Sequence, residues 1–181
     1  MKQELNLLDG YTPTSDLFND AKQIIEVSQK AAYRAVNLAL VQRNWLLGYR
    51  IAQEELNGEG RSEYGTAVIR KLAKGLTAEY GKGFDYSSLY KYFRFYKLYP
   101  GIVDSVSPQS GALLSWTHYR VLLQVEDKTA RDWYTKEAAN QTWSVRTLQR
   151  NISSQYYYRL LKSQNQEPVK QEMEKLTAGY Q

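Results

Sequence analysis

The sequence predicts an all-α protein: a long N-terminal helix followed by two helix-turn-helix-like helical pairs. Three observations carry this expectation. Apolar residues recur at the 3.6-residue helical period through long proline-free runs. No segment alternates apolar and polar residues as a half-buried strand does. Short breaks containing Gly, Asn or Pro separate the runs.

The first run, "TSDLFNDAKQIIEVSQKAAYRAVNLALVQRNWLLGYRIAQEEL", opens on Ser15 and Asp16, both capping residue types, and reaches the "NGEG" break at 57–60 without a proline. Leu17, Ile24, Val27, Ala31, Leu38, Val41 and Trp45 mark its helical spacing. About 40 residues is long for a globular helix, so a bend is expected. Gly48 is its weak point, costing roughly 1 kcal/mol relative to alanine. In "RSEYGTAVIRKLAKGLTAEYG", Ile69, Leu72, Ala73, Leu76 and Tyr80 share one face while Arg70, Lys71 and Lys74 lie off it. "GKG" at 81–83 supplies a turn, Asp85 an N-cap, and Pro100-Gly101 a stop after Tyr99.

"GIVDSVSPQSG" reads as a loop. "LLSWTHYRVLLQVED" is a short helix capped by Ser115, "KTARDWYTKEAANQTW" another, and "SVRTLQRNISSQYYYRLLKS" one final long helix capped by Ser144. The tail "QNQEPVKQEMEKLTAGYQ" is polar and weakly patterned, so little packing is expected of it. The organisation is thus an extension at 1–14, a helical domain at 15–162 and a linker at 163–181.

Composition narrows the chemistry. With no cysteine and a single histidine, His118, thiolate and multi-histidine metal centres are excluded. No apolar run approaches the roughly 20 residues that span a bilayer, and the N-terminus has no secretory h-region, so a cytoplasmic location away from membranes is expected. There is no P-loop or nucleophile elbow. His118, between Trp116 and Tyr119, reads as a packed, hydrogen-bonding residue, and no catalytic residue is assigned to this chain.

The net charge of +5 is concentrated. Residues 61–100 hold eight basic side chains and three acidic ones, a difference of +5, so the remainder sums to zero. A local basic excess is the footprint of a phosphate-binding surface. On a helical wheel, residues 86–99 gather Leu89, Phe93 and Tyr96 on one side, flanked by Tyr86, Tyr92 and Tyr99. Ser87, Lys91 and Arg94 lie opposite, with Tyr90 and Lys97 at one border and Phe95 at the other. The stretch 144–159 behaves likewise: Val145, Leu148, Ile152 and Tyr156 form a stripe, with Arg146, Gln149, Arg150 and Ser153 facing away. Cations for phosphate and a side chain able to reach a base edge are what a DNA-facing helix needs. The candidate DNA-binding residues are therefore Ser87, Lys91, Arg94, Lys97, Arg70, Lys74, Lys82, Arg146, Gln149 and Arg150. The two pairs also echo each other loosely. In both, an aromatic residue (Phe84, Trp143) closes the turn and a leucine (Leu89, Leu148) follows five residues later.

"NWLLGYRI", "RSEYGTAVIRKLAKGLTAEYGKGF", "SSLYKYFRFYKLYP", "LLSWTHYRVLL", "RDWYTKEAANQTWSVRTLQRNI" and "YYYRLL", taken in order, resemble the N-terminal region of YhcG-like bacterial proteins of the PD-(D/E)XK nuclease family. The resemblance covers about residues 17–162. It implies an all-helical DNA-binding region followed by a C-terminal nuclease domain. That second domain would carry the catalytic Asp, Glu and Lys and a divalent metal such as Mg, and none of those positions falls in this chain. The expected function is a DNA-binding or targeting module with DNA as partner and no cofactor of its own. The alternative is a protein-interaction or dimerisation module, in which the long helix 16–56 serves as the strut of a homodimer and the basic faces are merely solvated.

Overall fold

The computed structural model describes residues 11–57, 62–102 and 114–180, with backbone only at 55–57 and 62–65. The N-terminal ten residues, most of the "NGEG" break and most of the "GIVDSVSPQSG" loop lie outside the described residues. Among the described residues the chain forms eight α-helices and no strand: α1 (Leu17–Asn57), α2 (Ser62–Tyr80), α3 (Tyr86–Leu98), α4 (Trp116–Leu122), α5 (Lys128–Asn140), α6 (Val145–Ser153), α7 (Tyr156–Lys162) and α8 (Glu167–Thr177). A 3-10 turn follows at Ala178–Tyr180.

Capping chemistry sets the helix starts. Asp16 accepts from the amides of Phe18 (3.0 Å) and Asn19 (3.2 Å) at the head of α1. Asp85, Ser115 and Ser144 cap α3, α4 and α6 as the sequence predicts. Between α2 and α3 the chain turns through Gly81 (φ 78) and Gly83 (φ 108), left-handed conformations that glycine adopts without strain.

α1 runs as one helix of 41 residues, about 60 Å long at 1.5 Å per residue. Gly48 is not a point of weakness in it. A Cβ there would sit 2.0 Å from the Tyr92 carbonyl oxygen, so the missing side chain lets α3 cross directly against the α1 backbone. The Trp45 indole donates to the Tyr99 carbonyl (2.9 Å) and fixes the far end of that crossing.

α1, α2 and α3 enclose a small core of Ile51, Ile69, Ala73, Leu89 and Tyr92. A larger core joins Val41 and Phe95 to Tyr119, Leu122, Tyr134, Leu148, Tyr156 and Met173 from the C-terminal helices. Trp116 packs against both. Leu89 and Leu148 are both wholly buried one turn after their caps, so the two pairs share that layout.

Three further expectations are corrected. Phe95, placed at the border of the polar face, is wholly buried, while Phe93 is half-buried. The reason is that α3 packs against α1 and α2 and also meets α4 through Phe95, so its buried arc is centred on Leu89, Tyr92 and Phe95 and is turned away from Phe93. The stretch 144–163 is two helices, broken where Gln155 adopts φ 55. The tail is not poorly packed: α8 docks on α6 and α7, and Met173 is 2% exposed with Thr177 buried beside it.

His118 holds the C-terminal helices together. Its Nε2–H donates to the Trp143 carbonyl (2.9 Å), which leaves Nδ1 to accept from the Ser115 hydroxyl (2.7 Å). The imidazole thus ties the start of α4 to the turn before α6, and burial lowers its pKa below the ordinary 6.5. Because the depressed pKa favours the neutral ring, its contribution to stability is present above pH 6.5 and lost as pH falls through the lower folded value. Denaturant midpoints measured between pH 7 and 5 should fall for the wild type. His118→Gln should start lower and vary less over that window.

Candidate nucleic-acid interface

The ten candidate residues fall into two sets, one on α2, α3 and the turn between them, the other on α6. In the first set Arg70 and Lys74 are exposed on α2, and Lys82 is exposed at the tip of the turn. Ser87 is exposed on the first turn of α3, and the Lys91 ammonium donates to its hydroxyl at 3.0 Å. Lys97 is exposed at the helix end with its ammonium 5.3 Å from the centre of the Phe93 ring.

Arg94 differs from the wheel's assignment. It is half-buried, and its Nη2 donates to the Leu123 carbonyl at 3.0 Å, tying α3 to the end of α4. That bond occupies part of the guanidinium fork, so Arg94 is a structural tie before it is anything else.

Beside the Ser87–Lys91 edge runs a second stripe that the wheel does not single out. The Arg70 guanidinium lies 5.8 Å from the Tyr86 ring centre. Tyr86 stacks on Tyr90 (6.2 Å, 11°), Tyr90 leans on Phe93 (6.4 Å), and Lys97 closes the row. Both tyrosines are exposed. The signal is present in the spacing: residues 86, 90, 93 and 97 follow the i, i+4, i+7, i+11 pattern of one helix face. Arg43 on α1, also outside the sequence's candidates, is exposed and places its guanidinium 5.3 Å from the Phe84 ring at the same turn. The result is a surface of cations interleaved with aromatic rings, the mixture that meets phosphate and bases.

In the second set, Arg146, Gln149 and Arg150 are exposed together on α6, opposite buried Thr147, Leu148 and Asn151. A four-residue turn, 141–144, separates α6 from α5. α4 packs against both, so the exposed face of α6 rests on a three-helix base. Numbered from the capping residue, Ser87, Tyr90, Lys91 and Arg94 on α3 stand where Arg146, Gln149, Arg150 and Ser153 stand on α6.

Other chemistry does not converge. Among the described residues no three His, Cys, Asp or Glu side chains come together as a metal site. Both ring nitrogens of His118 are engaged in the bonds given above. An open groove of about 790 Å³ between α1 and α2 is lined mainly by Leu47, Ile51, Val68, Leu72 and Leu76, with Arg50, Lys71, Glu54 and Glu79 around them. No described helix is long and apolar enough to cross a membrane.

Fold and surface together define an all-helical domain that presents two capped helices with basic outer faces. The chain belongs to the family described as the DUF1016 N-terminal domain, which matches residues 20–159. It is also 27% identical to the Escherichia coli (strain K12) protein named "Putative nuclease YhcG", over 82% of this chain and 47% of that protein. The chain therefore spans about half the length of this curated relative. No solved structure matches it.

Proposed function

We propose that this chain is the DNA-binding, targeting module of a nuclease of the YhcG type, and that the chemistry belongs to a separate C-terminal domain requiring a divalent metal such as Mg. The observation that carries the reading is the pairing of two similarly capped helices, α3 and α6, each buried on one side and basic on the other. The relative's name supports the nuclease context. The α2–α3 and α5–α6 pairs act as helix-turn-helix-like units, with the second helix of each laid against DNA. Lys74, Lys82, Lys91, Arg146 and Arg150 neutralise phosphates. Ser87 and Gln149 stand where hydrogen bonds to DNA are made, and Lys97 extends the charge along α3. Exposed Tyr86 and Tyr90 supply stacking surface beside them.

Alanine variants test this by fluorescence anisotropy on a labelled duplex. Arg146→Ala with Arg150→Ala, and Lys82→Ala with Lys91→Ala, should each weaken binding and reduce the salt slope by about 1 for every phosphate left without its cation. All four side chains project outside the buried cores, so the thermal midpoint should be nearly unchanged. Binding curves identical to wild type for both pairs would remove these faces from the interface.

A further inference from the structure

The first half of α1 touches almost nothing. Every residue from Ser28 to Val36 is exposed, nine in a row, so no face of that helical stretch is covered. Large apolar side chains nevertheless stand on it and on the turns before it. Phe18 is 80% exposed, Ile25 57% and Tyr33 72%. A bare helix of this kind is marginal in water, because helices in proteins draw most of their stability from packing.

The exposed residues also carry a period that packing on the body of the domain does not require. Every seventh residue from Phe18 is apolar: Ile25, Ala32, Ala39 and Leu46. The positions three further on are Ala21, Ser28 and Ala35, all small, and then Gln42, the one large polar side chain on the seam. A strict seven-residue repeat keeps one seam in register with a partner helix that supercoils around it, and small residues let the two backbones approach closely. All of these seam residues except half-buried Gln42 are exposed.

We infer that this arm is a dimerisation element and that it pairs with the same arm of a second copy of the chain. The occupant follows from length. The seam from Phe18 to Leu46 spans four heptads, whereas the next longest described helix, α2, has 19 residues and is committed to α1 and α3. The matching helix is α1 of another copy. The dimer does not depend on DNA, and it would bring two copies of the basic helices into one particle.

Sedimentation equilibrium of the 181-residue chain tests the inference. The wild type should have about twice the 21.0 kDa monomer mass at micromolar concentration. Ile25→Glu, which sets a charge on the seam, should weaken the dimer by at least about tenfold. Tyr33→Glu, at a still more exposed position off the seam, should leave the dimer intact. Far-UV circular dichroism checks that helicity is retained, and Ala32→Glu repeats the seam test should Ile25→Glu lose it. A monomeric wild type at about 100 μM overturns the inference. So does a dimer indifferent to both seam charges, or one disrupted equally by Tyr33→Glu.

Discussion

Gly48→Ala is expected to destabilise the protein by about 2 kcal/mol or more, although the same exchange inside an ordinary helix gains roughly 1 kcal/mol. The sign reverses because the added methyl would lie 2.0 Å from the Tyr92 carbonyl oxygen and 3.1 Å from the Tyr96 Cβ. Backbone cannot swing aside as the end of a flexible side chain can, so α3 must move off α1. The Ile51, Leu89 and Tyr92 cluster at that crossing would loosen with it. At about 2–4 °C per kcal/mol for a chain of this size, a melting-point drop of roughly 4–8 °C would be read by circular dichroism. Gly75→Ala is the control. A Cβ there meets nothing within 4 Å, so the ordinary helical gain should appear.

Phe95→Ala should cost about 3–5 kcal/mol, the range for a buried phenylalanine. Its ring is wholly buried and lies 4.8 Å from Tyr119, 5.3 Å from Trp116 and 5.5 Å from Tyr99, measured between ring centres. It therefore joins α3 to α4 at the boundary of the two cores. Phe93→Ala should cost clearly less, because that ring is half-buried and meets Tyr90 and the Lys97 ammonium on the outside of α3. Urea unfolding of the two variants side by side gives the comparison. Equal losses would return Phe93 to the core position that the helical wheel gives it.

That exchange of roles shows where one sequence reaches its limit. Periodicity and capping chemistry place α1 to α6 well, because both are local. Asp85, Ser115 and Ser144 bond to amides three residues ahead, and nothing distant decides it. The wheel also gives the relative angles on α3 correctly. What it lacks is the direction of the neighbours: α4 lies on the Phe95 side, so the buried arc is turned toward Phe95 and Arg94 and away from Phe93. Gly48 misleads for a similar reason, since a close crossing and a flexible point carry the same letter. The break at Gln155 has no sequence mark, because a left-handed non-glycine residue is uncommon and tertiary packing selects it. The tail misleads through composition. One buried methionine, Met173, with Thr177 and Val169 suffices to dock α8 although most of that helix is polar.

Of the candidate interface, the exposed cations of α2, α3 and α6 are legible as charge placed opposite an apolar stripe. The Tyr86–Tyr90–Phe93–Lys97 row is legible in its helical spacing, but its continuation to Arg70 is not, because that step crosses from α2 to α3 and rests on the packing of one against the other. Arg94 reads as free because its partner, the Leu123 carbonyl, lies 29 residues away.

The measurement that bears most directly on the proposed DNA binding is its salt dependence for the unmodified chain, titrated against a labelled duplex at several NaCl concentrations. If the basic faces of α3 and α6 hold phosphates, log K should fall linearly with log salt, by about 0.9 per phosphate neutralised. Three or four neutralised phosphates then give a slope of about −3. A chain that leaves duplex DNA unbound at low salt, or binds it with a slope near zero, would contradict the assignment.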